Sequence, residues 1–215
     1  YYIYMHSISL TDINSWERFY RTNFINSLTG FKSVSLIGTV NKEGQTNLGI
    51  FSSLVHIGSN PPLVGYINRP RKADQHTLAN IESTGIYTIN HIHPGFLEQA
   101  HQSSAKYPEE VNEFAEIGLT PEFMENLSAP FVKQSLVKYA LSLEDIISIP
   151  ANETYLVIGR IQYVLLEPSI LSADGFLQLD KSASVCSNGN DAYYATQLIG
   201  RYQYAMPGKP TQKLI

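Results

Sequence analysis

Between Thr46 and Arg71 two apolar runs flank the turn Gly58-Ser59-Asn60-Pro61-Pro62. The first run, Asn47–Val55, is threaded with small polar residues: Asn47, Ser52 and Ser53. The second, Leu63–Ile67, stops at Asn68-Arg69-Pro70-Arg71. Proline cannot donate to a strand ladder, so Pro70 closes that run. The pattern predicts two strands with one packed wall and one wall free to meet a polar ligand. Upstream, Phe31–Val40 reads as a strand with Val34, Leu36 and Val40 on one face. Asn41-Lys42-Glu43-Gly44 is a turn in which glycine supplies the positive φ. These strands together predict an antiparallel meander.

Helical periodicity appears around it. Ile13, Trp16, Tyr20 and Phe24 recur at helical spacing, with Asn14 as cap and Glu17 reaching back, which predicts an N-terminal helix over about residues 12–27. Asp74 can cap a short helix carrying Leu78 and Ile81 that closes near Gly85. Ile86–Asn90 is a further strand. Pro94 suits a first helical turn, with Phe96, Leu97 and Ala100 as its buried stripe. Pro108-Glu109-Glu110 predicts another helix start, with Val111, Phe114 and Ile117 facing inward and Gly118 as its end.

In Ser135–Ile147, Val137, Tyr139, Leu141 and Leu143 alternate with Lys138, Ser142 and Glu144, the mark of a half-exposed strand. Thr154–Leu166 is mostly apolar on both faces and predicts a central, buried strand. Pro168–Leu171 is a short helical turn, Ser172–Asn190 reads mostly as loop, and Ala192–Tyr204 holds two Tyr-rich clusters around Gly200-Arg201. No repeat or long linker divides the chain. The expectation is a mainly β protein with α insertions, an antiparallel β-barrel forming a single domain over 1–215 with a C-terminal extension.

Composition narrows the function classes. The chain has 215 residues, 43% hydrophobic and 16% charged, which suits a folded core. A formal net charge of −4 gives no electrostatic grip on nucleic acid. No apolar run approaches a membrane span, and no signal-like start is visible. The chain opens on Tyr1 rather than Met, so the natural start is expected upstream. Cys186 is the sole cysteine, which excludes an internal disulfide and agrees with a reducing cytoplasm. It lies in a Ser/Gly/Asn stretch without an evident base, so it reads as a silent residue. There is no G-x-G-x-x-G and no G-x-x-x-x-G-K-[ST]. His91-x-His93 with His101 is the one metal-like grouping, read as pocket or surface residues with no metal expected.

The ordered motifs resemble the flavin reductase-like family, whose members bind FMN in a split β-barrel. They are Asn47-Leu-Gly-Ile-Phe51-Ser52-Ser53, Ser59-Asn-Pro61-Pro62-Leu-Val, Arg69-Pro70, Thr77-Leu-Ala-Asn80-Ile and Tyr87-Thr-Ile-Asn90. Glu113-Phe-Ala-Glu-Ile-Gly118-Leu-Thr-Pro121 and Ile199-Gly-Arg201-Tyr202 complete the set. The likeness runs from about Phe31 to Tyr204. His76 departs from it, standing where relatives often carry an acid before the threonine.

The resemblance implies a homodimeric, cytoplasmic FMN-binding oxidoreductase with NAD(P)H as electron donor. Its alternative is a flavoredoxin-like electron carrier serving a protein acceptor without NAD(P)H turnover. FMN's phosphate would take one of Arg69, Arg71 or Lys72, together with Thr77. The pyrimidine edge would take Asn47 and main-chain amides around Ser52, Ser53 and Leu54, and the ring would lie against Phe51, Leu54 and Ile67. Asn68, Asn90, His91, Ser103 and Ser104 join the expected cofactor set. His56 and His93 would shape the substrate mouth. No acid–base residue is expected to be catalytic, because the flavin carries the chemistry.

Overall fold

The computed structural model describes residues 5–71, 76–108 and 110–214. Near the N-terminus the expected single helix is two, α1 (Leu10–Ser15) and α2 (Arg18–Leu28). Trp16 is extended at ψ 150°, and Glu17 caps the second helix by accepting from the Phe19 and Tyr20 amides. Ser9, not Asn14, caps the first, in a reciprocal box with Asp12. Neither helix buries a residue, and Phe19 and Tyr20 stay exposed.

The strands follow as β1 (Lys32–Ser33), β2 (Ser35–Val40), β3 (Thr46–Phe51), β4 (Leu54–Ser59) and β5 (Pro62–Asn68). After α3 (His76–Thr84) come β6 (Ile86–His91), α4 (Leu97–Gln102) and α5 (Glu113–Glu116). The chain continues through β7 (Pro121–Met124), β8 (Leu127–Val132), β9 (Val137–Ile149), β10 (Thr154–Leu166), β11 (Cys186–Asn188) and β12 (Ala192–Tyr194). The helix expected from Pro108 begins only at Glu113, where the Asn112 side chain accepts from the Ala115 amide. Asp74, the expected cap of α3, lies outside the described residues.

Seven strands form one antiparallel sheet in the order β3-β2-β6-β9-β10-β5-β4. The run Asn47–Val55 is therefore not one strand: it breaks at Ser52-Ser53, and its halves occupy opposite edges of the sheet. In a flat sheet those edges would stand roughly 29 Å apart, six strand spacings. Phe51 and Leu54 can be separated by at most about 11 Å, three Cα–Cα steps. The sheet must curl until its edges meet, and it does so without closing its last ladder: a split barrel. The Ser53 carbonyl accepts from the Ile67 amide at 3.1 Å and extends the β4–β5 ladder by one rung, so the Ser52–Ser53 backbone itself joins the two edges.

The core covers both faces of this curl, since neighbouring β2 residues such as Leu36 and Ile37 point to opposite sides. Ile37, Tyr66, Leu78, Ile81, Tyr87, Ile89, Leu141 and Val157 form one cluster inside the barrel. Leu36, Leu48, Ile92, Phe96, Phe114 and Val132 form another, under α4 and α5. The β7–β8 hairpin was not evident from the pattern, and β8 lies across β2 and β6. Gly38 makes that crossing possible: a Cβ there would sit 2.7 Å from Thr88 Oγ1 and closer still to the Pro130 carbonyl. β10 is internal to the sheet, as its apolar pattern predicts, but it is not the buried strand expected: Thr154, Val157 and Gly159 are buried, while 162–164 are exposed because the outer face has no covering layer there among the described residues.

Candidate functional site

Ser35 pairs with Phe51 on one side and with His91 on the other. Phe51 and His91 thus stand about two strand spacings, roughly 10 Å, apart at one end of the barrel. A cavity of about 410 Å³ opens there, within the size range of small-molecule sites. Its walls are β1, the start of β2, His91 and a returning segment between Phe176 and Leu198. Phe31, Val34, Leu177 and Val185 make it largely apolar. Phe176 is held by Arg201, whose guanidinium carbon lies 4.0 Å from the ring centroid. Arg201 is itself anchored to Asp174 at 2.6 Å. The β1–β11 pairing, Lys32 with Ser187 and Ser33 with Cys186, binds this segment to the barrel.

The seam between the barrel edges adjoins Phe51. Ser52 is half-buried and Ser53 exposed. Among the described residues their hydroxyls and amides meet no partner, so this two-residue link offers free donors beside an apolar wall. Phe51 packs edge-on against Tyr66, with centroids 5.0 Å apart, and Leu54 is paired with Tyr66 across the ladder. At the end of β5, Asn68 is buried and donates to the Arg69 carbonyl at 2.8 Å. Arg69 is exposed and makes only a long contact, 3.4 Å, with Asn190 beyond β11. Arg71 is spent in a two-pronged ion pair with Glu82, over the ring of Tyr155. Lys72 lies outside the described residues. Of the cations expected near a phosphate, Arg69 is thus the one with spare capacity among the described residues.

Several expected ligand contacts serve the scaffold instead. Asn47 is buried in a polar knot. Its Nδ2 donates to Glu113, and its Oδ1 accepts from Thr39 at 3.3 Å and from Thr77 at 3.0 Å. Asn80 adds a bond to Thr39. The knot ties α3 and α5 onto β2 and β3 and takes up both the Asn47 amide and the Thr77 hydroxyl. Burial raises the Glu113 carboxyl above its ordinary range, against the hydrogen bonds from Asn47 and the Leu48 amide. Asn90 is wholly buried: its Oδ1 accepts from the Val132 amide at 2.8 Å, and its Nδ2 donates to Leu36 O and Thr88 Oγ1. It stitches β8 to β6 and β2.

Ser103 is buried and donates to the Ala100 carbonyl, closing α4, while Ser104 is exposed at the same helix end. His93 Nδ1 accepts from the Gly95 amide at 3.0 Å, so Nε2 carries the proton and donates to Gln134 O at 3.1 Å. His93 thus caps the turn Pro94–Phe96. His56 is exposed on β4. His91 remains at the site: it lines the cavity and contacts Ser184 through Nδ1 at 3.2 Å. Burial lowers its pKa to about 4, so it is neutral at pH 7. His91, His93 and His101 turn to Ser184, Gln134 and Tyr193 respectively, three separate directions.

The family model for flavin reductase-like domains matches residues 31–178. The chain belongs to the flavin reductase-like family. A candidate flavin reductase with a split barrel domain from Shewanella frigidimarina is 45% identical, at a TM-score of 0.90 over 94% of this chain and 100% of that one. Nitrilotriacetate monooxygenase component B from Bacillus cereus has the same fold at 20% identity, with a TM-score of 0.79 over 95% and 100%. Flavoredoxin of Desulfovibrio vulgaris (Miyazaki F) shares it at 24% identity, with a TM-score of 0.68 over 83% and 92%. Among the described residues no helix is long and apolar enough to cross a membrane. The segment 179–198 that completes the cavity falls beyond the family match, in the stretch where sequence periodicity gave no signal. Ser184 lies in this segment and Phe176 just before it, both within Ser172–Asn190, which reads as loop and carries no periodic signal.

Proposed function

We propose that this flavin reductase-like chain binds FMN at the seam and cavity and uses it to take hydride from NAD(P)H. The observation that carries the reading is the pairing of family membership with an apolar cavity of about 410 Å³ beside free donors and an uncommitted arginine. The cavity walls suit a flat ring. Ser52 and Ser53 would give the ring's polar edge its hydrogen bonds, and Arg69 would hold the phosphate. When bound, the flavin supplies N5 as acceptor for the hydride leaving nicotinamide C4, and a second molecule later takes both electrons. The chain positions the ring and excludes water; no side chain need act as acid or base.

A homodimer fits the same reading. Val55, Ile57 and Ile147 are exposed at 46%, 40% and 46% on the outer face of β4, β5, β10 and β9. Ile57, Leu156 and Val55 close over the bare Gly65 and make this face apolar, a surface suited to a second copy.

The test is a visible spectrum of purified protein with and without added FMN, followed by NADH and NADPH oxidation. Tight binding with turnover supports the reductase. Tight binding without turnover on either donor moves the assignment to the electron-carrier alternative. A protein that ignores FMN rejects both.

A further inference from the structure

We infer that His91 selects the flavin ring by accepting a hydrogen bond from its N3–H. The inference rests on the flavin reading above and adds an orientation to it. The argument is one of proton direction. Ser182 Oγ lies 2.8 Å from the Leu179 carbonyl, which can only accept, so the single Ser182 proton points there. Ser182 Oγ also lies 2.8 Å from Ser184 Oγ, so the proton in that contact belongs to Ser184. Ser184 then has only lone pairs to offer His91 Nδ1 at 3.2 Å, and Nδ1 must carry the proton. Both serines are buried, at 2% and 6% exposure, so water does not compete for these bonds.

A neutral imidazole protonated at Nδ1 is bare at Nε2. Among the described residues Nε2 has no partner, and the ring lines the cavity. The cavity thus presents an acceptor whose polarity is fixed from behind by a one-way chain of hydroxyls. An oxidised isoalloxazine offers acceptors at N1, O2, O4 and N5, and its ring has one donor, N3–H. Only that atom satisfies a bare Nε2. The hydroxyls of the ribityl chain are also donors, but the apolar walls around His91 favour the ring over the chain. The pyrimidine end therefore enters toward His91, close to the Ser52–Ser53 link. Lys32, the nearest cation of the cavity wall, is turned to the Asn26 carbonyl at 2.8 Å and does not compete for this edge.

The test compares FMN with N3-methyl-FMN by fluorescence titration of the full chain. In the wild type the methylated flavin should bind about tenfold more weakly or worse, the scale of a lost hydrogen bond that strands a buried acceptor. His91→Ala should bind the two flavins within about threefold of each other, because acceptor and steric stop go together. Ser184→Ala, which frees the imidazole tautomer while keeping the ring, should reduce the discrimination severalfold. It also serves if His91→Ala does not fold. Equal affinities in the wild type, or full discrimination retained in both variants, overturns the assignment while leaving FMN binding intact. Failure to bind FMN at all overturns the flavin reading and this inference with it.

Discussion

The burial of His91 makes a stability prediction that needs no ligand. Burial lowers its pKa from 6.5 to about 4 in the folded chain, whereas the unfolded chain takes up the proton near 6.5. Between those values the unfolded state holds the extra proton, so stability falls as the pH drops and is fully recovered above 6.5. At pH 4.5 the two-unit gap corresponds to about 2.5 kcal/mol, and at pH 7.5 to almost nothing. His91→Gln removes the titration but keeps a polar side chain near Ser184. It should be less stable than the wild type at pH 7.5 by about 1 kcal/mol, the worth of a strained or lost hydrogen bond. At pH 4.5 the order should reverse, the variant gaining about 2.5 kcal/mol relative to the wild type. Urea unfolding of flavin-free protein at the two pH values measures this directly. The carboxylates titrate in both proteins and cancel in the comparison. Parallel pH profiles for the two proteins would mean that folded His91 protonates normally, and the argument from burial would fail.

Arg69→Ala should weaken FMN about tenfold or more while leaving riboflavin almost unchanged, since only FMN carries a phosphate; isothermal titration with both ligands decides it. Gly38→Ala should destabilise the fold by about 1–3 kcal/mol, because the Pro130 backbone cannot retreat from the new methyl group; a fall in denaturation midpoint is the readout. Asn90→Ala should cost about 2–3 kcal/mol by leaving the Val132 amide unpaired in the core. Its flavin affinity, once folded, should match the wild type, because Asn90 is enclosed by the scaffold.

Much of the scaffold is legible in the residues themselves. β10 runs over Thr154–Leu166, as its apolar run indicates, because a long strand inside a sheet needs little beyond its own pattern. The split at Ser52-Ser53 was not legible, since serine is at home both inside a strand and between strands. What separates β3 from β4 is their distant partners, β2 and β5, and periodicity carries no information about those. The β7–β8 hairpin left one local trace, Asn126 at φ 66°, a residue type that tolerates a left-handed turn. At the site, sequence could nominate Asn47, Thr77 and Asn90 as polar residues near the right strands. It could not say that each faces inward, where an amide or hydroxyl satisfies scaffold groups as readily as a ligand. The cavity wall beyond Phe176 escaped notice because its order comes from pairing with β1 rather than from any internal repeat.

The two serines that join the outermost strands act as a clasp on a spring. The hoop can neither flatten nor tighten without pulling on that short bridge, so curvature anywhere along it is felt at Ser52 and Ser53. A substitution on the far side of the hoop, in β9 or β10, can therefore reset the gap where a guest would sit while touching nothing near it.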